Sequence, residues 1–381
     1  VRTPLVATLA ALVLPAVAAA QLAVTTVSPP LNDVAPVGSQ IIVTFDRPLD
    51  VTTVDVDSFR VFGQWSGPVR GTTTFSNGNQ TVTLTPDRAF SAGEFVWVNL
   101  SHDLRGADTT SLRAAGYAWQ FLTQTTASPA TFVEIDRFSN RTGGNTRIYG
   151  ASAGDLDDDG WLDLATVNED SDDVRVFLNR ADGTGLMGPM KPRQPTSHEG
   201  SPNCTGDFDN DGLLDLVVSA ASSHMIWILL GAGDGTFASA QSIDLGGAPH
   251  GVAALDVDGD GDIDLVDANV GSDDLALLLN DGTGTFGPPT YFEGGVDGEY
   301  ALAAADMDGD GITDLVVGGR DGADITTMLG NGNGTFTAAA GPQNSGGATW
   351  VLVLGDVDGD GDLDAATAND GSGTIGILKN A

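Results

Sequence analysis

DVDGDGDID at residues 256–264 places a carboxylate on every second residue and a glycine at the sixth. The pattern recurs as DLDDDGWLD at 155–163, DFDNDGLLD at 207–215, DMDGDGITD at 306–314 and DVDGDGDLD at 356–364. The starts at 155, 207, 256, 306 and 356 lie 52, 49, 50 and 50 residues apart. A fixed internal period near 50 marks a repeat architecture rather than one irregular core.

The flanks of each loop agree with one another. An apolar strand enters (GVAALDV, ALAAADM, VLVLGDV) and a second leaves (LDLATV, LDLVVSA, IDLVDAN, TDLVVGG, LDAATAN). A third follows a polar turn (VRVFLN, MIWILLG, LALLLN, ITTMLG, IGILKN), and a glycine-rich turn ending in GTF or its remnant precedes a weaker fourth. Four antiparallel strands per repeat make one blade of a β-propeller, and no helical period interrupts them. The last repeat shows only three strands, so TFVEIDRF at 131–138 is expected to supply the fourth and close a five-bladed ring; a ring completed by a degenerate N-terminal blade and an incomplete ring needing a partner are the alternatives.

Each loop offers side-chain oxygens at positions 1, 3, 5 and 9 and a backbone carbonyl at position 7. The candidate metal ligands are therefore Asp155, Asp157, Asp159, the Trp161 carbonyl and Asp163 in the first loop, and Asp207, Asp209, Asp211, the Leu213 carbonyl and Asp215 in the second. The third loop gives Asp256, Asp258, Asp260, the Asp262 carbonyl and Asp264, and the fourth Asp306, Asp308, Asp310, the Ile312 carbonyl and Asp314. The fifth gives Asp356, Asp358, Asp360, the Asp362 carbonyl and Asp364. Crowded carboxylates repel unless a cation sits among them, and hard oxygen donors on a flexible loop favour Ca2+ over Mg2+ or Zn2+. About five Ca2+ ions are expected, one per loop. An EF-hand needs a Glu at position 12 and flanking helices, whereas position 12 here holds Thr166, Val218, Asp267, Val317 and Thr367.

On these loops the chain resembles the FG-GAP and VCBS repeat family, whose members include the integrin alpha propellers. The resemblance covers about 250 residues. It implies a calcium-binding propeller whose loops join the first two strands of each blade and stiffen one face, while ligands approach the other. By that resemblance the ions are structural, not catalytic.

Ahead of the repeats, short alternating segments appear: QIIVTF at 40–45, SFRVFG at 58–63, QTVTLTP at 80–86, EFVWVNL at 94–100 and YAWQFLT at 117–123. Punctuated by Pro and Gly, they read as a β-sandwich at 21–125. This part resembles a bacterial Ig-like domain of surface-layer and cell-wall proteins, which implies a spacer or adhesion role. The expected fold class is thus all-β, an Ig-like sandwich followed by a propeller at 126–381.

The first twenty residues, VRTPLVATLAALVLPAVAAA, combine Arg2, an apolar run from Leu5 to Val17 and a small-residue Ala18-Ala19-Ala20 site, the form of a secretory signal peptide. Val1 in place of Met suits a bacterial alternative start codon, so the expected location is secreted or cell-surface and bacterial. No further membrane span is expected after cleavage. Cys204 is the only cysteine, which excludes an internal disulfide. A formal net charge of -36, from 52 acids and 16 bases, argues against nucleic acid as a partner.

The expected partner is an extracellular protein or glycan, bound opposite the metal loops by Asn-, Asp- and Gly-rich turns with Trp350 or Tyr300 as a stacking face. Cys204 reads as a buried thiol, and Trp227 as filling between blades. Catalysis has thin support: His102, His198, His224 and His250 show no zinc spacing, and neither a nucleophile elbow nor a phosphate loop is present. The preferred reading is non-catalytic recognition or adhesion. A purely structural envelope module and a carbohydrate-active enzyme such as a polysaccharide lyase are the alternatives. An enzyme would need a base among Arg175, Lys191, Arg193 and Arg320.

Overall fold

The computed structural model describes residues 21–128, 131–141, 143–144 and 146–380. The expected leader lies outside the described residues. Of the described residues, no helix is long and apolar enough to cross a membrane.

The N-terminal sandwich forms where the alternation is cleanest. IIVTF at Ile41–Phe45 and FRVFG at Phe59–Gly63 bury every second residue, as does FVWVNL at Phe95–Leu100. One sheet orders Val24–Ser28, Ile41–Phe45, Thr81–Pro86 and Gly71–Ser76. The other orders Val34–Ala35, Tyr117–Thr123, Phe95–Leu100, Phe59–Gly63 and Gly67–Pro68. Their inward faces share a core that includes Val43, Phe45, Val82, Val98, Trp119 and Phe121. This is period-two patterning turned into a two-layer core.

Five antiparallel sheets follow in chain order. Their inner strands, Ile148–Gly154, Gly200–Gly206, Pro249–Leu255, Glu299–Ala305 and Ala348–Gly355, each lead into one Asp-rich loop. The loop returns as the second strand, for example Asp264–Asn269, which pairs with Asp274–Leu278, which pairs with Thr290–Phe292. The sheets stack face to face. In the second sheet Leu216, Val218 and Leu229 pack on Val167 and Val176 of the first, while Val217, Ile226 and Ile228 pack on Leu265 and Leu278 of the third. A sheet covered on both faces has no polar face to show, which explains the unbroken apolar runs of the second strands. Trp227 joins the packing between the first and second sheets and donates its indole N–H to Ser197 Oγ at 2.8 Å.

The expected closure by TFVEIDRF is not what the structure has. Residues 131–138 form no strand, and the fifth sheet holds only Ala348–Gly355, Asp364–Asp370 and Thr374–Leu378. The segment lies along the first sheet instead: Phe138 sits 4.7 Å from Phe177 ring to ring, and the Asp136 carboxylate accepts the Met187 amide at 3.3 Å. Ile375 and Ile377 of the fifth sheet are consequently exposed. The contact is slight, since Phe132, Val133, Ile135 and Phe138 all remain exposed.

Candidate metal centres on the repeat loops

Each loop is wound by its own carboxylates. The position 1 aspartate reaches forward to the turn: Asp256 accepts the Gly259 amide at 2.8 Å and the Gly261 amide at 3.0 Å, and Asp306 repeats this with Gly309 and Gly311. The position 5 aspartate accepts the position 7 amide, as in Asp159 with Trp161, Asp211 with Leu213 and Asp310 with Ile312, all at 2.8 Å. The sixth residue stands at positive φ, from +78° at Gly311 to +96° at Gly261, where a side chain is strained.

Candidate ligand atoms converge within 4.8 Å of one another in all five loops. The sets are Asp155, Asp157 and Asp163; Asp207, Asp209 and Asp215; Asp256, Asp258 and Asp260; Asp306, Asp308 and Asp314; and Asp356, Asp358 and Asp360. Positions 1 and 3 thus meet in every loop, joined by position 9 in three and by position 5 in two.

Position 9 has a second role that spacing does not reveal. In all five loops its two oxygens accept one backbone amide inside the loop and one at the end of the third strand. Asp163 takes Leu156 and Asn179, Asp264 takes Val257 and Asn280, Asp314 takes Met307 and Gly330, and Asp364 takes Val357 and Asn380. The aspartate therefore ties the loop to its sheet whether or not an ion is bound.

Burial dominates the electrostatics. It raises Asp163, Asp207, Asp256 and Asp314 to about 7 and Asp215 and Asp264 to about 8, with neighbouring carboxylates adding to the shift and backbone amides opposing it. Asp157 Oδ1, Asp207 Oδ1 and Asp258 Oδ1 are buried with no hydrogen-bond partner. Such orphaned oxygens are costly, and a hard cation among them removes the cost, so the residues present fit Ca2+. The fifth loop differs: Lys379 donates to Asp358 and Asp360 and holds Asp360 down at about 2.

The N-terminal sandwich sits on the loop face. A cavity of about 1190 Å3 runs along all five inner strands, from Trp65 and Trp97 on the sandwich side to Tyr149, His250, Tyr300 and Trp350 at the other end. About 20 Å from the loops, at the far ends of the inner strands, Tyr149, His250, Tyr300 and Trp350 gather. Each stands six residues before the first aspartate of its loop. His250 stacks on Tyr300 at 3.5 Å, and the Arg320 guanidinium lies 5.3 Å from the Tyr300 ring centre and 5.4 Å from that of Trp350. Tyr300 is buried, so it cannot serve as the free stacking face expected of it; Trp350 is half-buried and Tyr149 exposed. The membership of Tyr149 was not read from the sequence, although its repeat position signals it.

Cys204 is only partly buried rather than fully so as expected, packed against the core between the second and third sheets, and loss of hydration there pushes its thiol well up, which makes it a poor nucleophile. Arg175 is 1% exposed and bound to Asp173, and Arg193 reaches the same carboxylate. Neither is a free base in a cleft.

No curated protein matches the chain. Among solved structures, an Agrocybe aegerita lectin that recognises non-reducing terminal N-acetylglucosamine is 18% identical over 87% of this chain and 92% of its own, with a TM-score of 0.42. The methionine-rich copper resistance protein PcoC from Escherichia coli is 14% identical over 28% of this chain and all of its own, with a TM-score of 0.23. The N-terminal part of the bacterial S-layer protein SbsC is 13% identical over 59% of this chain and 44% of its own, at 0.23. These likenesses are too distant to bear on function. The bacterial Ig-like domain family matches residues 18–123. The FG-GAP-like repeat family matches 155–218, 207–267, 256–317 and 306–367, overlapping stretches that together span more than half of the chain, and the protein belongs to that family.

Proposed function

We propose that the five loops each hold one Ca2+ and that the chain is an exported bacterial recognition or adhesion protein. The division is a leader at 1–20, an Ig-like module at 21–125 and a propeller-type repeat module at 126–381. The observation that carries the calcium reading is the set of buried oxygens without donors at Asp157, Asp207 and Asp258, each set among converging carboxylates. Calcium supplies the charge that lets these groups stay ionised together; the loops' own residues wind around it and fix the sheets.

The ligand face is the one opposite the loops. Trp350 offers a partly open indole beside Arg320, with Tyr149 exposed across His250 in the same cluster, a combination of flat apolar surface and polar donors suited to a sugar ring. A glycan array probed with the mature protein in millimolar calcium, and again after chelation, tests this. Selective binding lost on Trp350→Ala supports a glycan ligand. Silence from folded, calcium-loaded protein removes the glycan and leaves a protein partner as the ligand class.

A further inference from the structure

The sandwich does not merely abut the repeats; it grips every one of the five loops. Arg88 donates to Asp155, to the Asp158 carboxylate and to the Asp158 carbonyl at 2.7 Å, and Arg70 joins it at Asp158 while reaching the Gly212 carbonyl of the second loop at 2.8 Å. On the third loop the His102 amide donates to the Gly259 carbonyl at 2.8 Å, Ser101 Oγ to the Asp260 carbonyl at 2.7 Å and Arg60 to Asp262 at 3.0 Å. On the fourth, the Gly311 carbonyl accepts both the Ala118 amide at 2.8 Å and Arg113 at 2.5 Å, and Gln120 exchanges hydrogen bonds with the Asp306 backbone. On the fifth, Asn32 donates to the Gly361 carbonyl at 3.3 Å.

Nearly all of these contacts go to atoms that ion binding leaves free. The carbonyls of Gly212, Gly311 and Gly361 belong to position 6, those of Asp158 and Gly259 to position 4, and the Asp158 and Asp262 side chains are not ligating groups. They face outward because the turn that carries them points the carboxylates of positions 1, 3 and 5 inward. The fit is close: a Cβ on Gly259 would stand 2.5 Å from the Ala114 carbonyl oxygen, and one on Gly261 2.6 Å from that of Asp57.

We propose that the loop face is a docking surface for the Ig-like module and that it exists only while calcium holds the loops wound, so that calcium fixes one module on the other. The proposal rests on the calcium reading above. Without the ion, nothing draws the oxygens of positions 1, 3 and 5 together, those that ionise repel one another and spread the turn, and the outward carbonyls lose their register with the sandwich. Two effects oppose each other here, because the bare loops are more negative and attract the arginines more strongly. That attraction is screened over about 8 Å in physiological salt, whereas the carbonyl contacts need ångström placement, so geometry wins. Undocking also opens the cavity lined by Trp65 and Trp97.

Hydrogen exchange at the His102 and Ala118 amides reads docking directly, since both donate across the interface. The full mature chain is measured with calcium and with chelator, alongside a calorimetric calcium titration. On chelation, exchange at these two amides rises about tenfold or more by local opening, while the sandwich-core amides of Val96 and Val98 keep their protection. Unchanged exchange at His102 and Ala118, after calorimetry has shown calcium to bind, overturns the docking proposal and leaves the calcium reading standing. Absence of any calcium binding overturns both. As a second arm, Arg70→Ala with Arg113→Ala, which remove hydrogen bonds only to the Asp158 side chain and the Gly212, Gly311 and Gly116 carbonyls, accelerates the same amides in calcium with the ion count unchanged. A reduced ion count would instead make the arginines part of the metal site and defeat the proposal.

Discussion

The Asp215 carboxylate accepts the Gly231 amide at 2.7 Å, sixteen residues further along the chain, and with its other oxygen accepts the Phe208 amide at 2.7 Å. One side chain thus binds the second loop to the end of the third strand of its own sheet, at a residue with no exposure to solvent. Removing it leaves two backbone donors unsatisfied where water cannot reach. Asp215→Ala is expected to cost about 2–4 kcal/mol even in chelator. Asp211→Ala, whose carboxylate accepts only the Leu213 amide, is expected to weaken calcium binding with little change in the chelated melt. Equal losses for the two variants in chelator would refute the special role of position 9.

The loop aspartates set the pH dependence of the metal-free protein. Folded values of about 7 for Asp163 and Asp207 and about 8 for Asp215 and Asp264 lie above the unfolded value of 3.8, so folding favours the protonated forms. Their contribution is complete below the unfolded value and is lost as pH rises through about 7 to 8. In chelator the melting temperature should therefore climb as pH is lowered from about 8 to about 5, while the calcium-induced gain shrinks as protons compete for the same oxygens. Melting curves at several pH values, with and without chelator, check both trends.

His250 works in the other direction. Burial lowers it to about 4, beneath its ordinary 6.5, so the fold favours the neutral ring. The stabilisation is present above about 6.5 and disappears as pH falls toward 4, a linkage of up to about 3 kcal/mol. His250→Gln should flatten acid destabilisation over that interval, read by tryptophan fluorescence from the neighbouring Trp350.

Lys379 gives the fifth loop its own cation. The equivalent positions in the other repeats are Leu178, Leu230, Leu279 and Leu329. Calcium must displace the ammonium from Asp358 and Asp360, so the fifth site should be the weakest, and Lys379→Leu should tighten the last step of a calorimetric titration. No change in that step would mean that the ammonium moves aside freely.

Local chemistry made much of this protein legible from its residues. The 50-residue period, the glycine at position 6 and the carboxylates at 1, 3 and 5 follow from turn geometry and charge crowding, which act within nine residues. Strand alternation gave the sandwich, and the unbroken runs such as LDLVVSA anticipated sheets covered on both faces. Tertiary structure alone decided where TFVEIDRF lies, that Tyr300 is covered by His250, and that position 9 ties loop to strand. It alone decided, too, that the sandwich sits on the loops. The physical reason is that these contacts are made largely by backbone carbonyls and amides, such as Gly311 with Ala118 and Gly259 with His102. Every residue carries those groups, so a sequence records which side chains are present but not which main-chain atoms will meet.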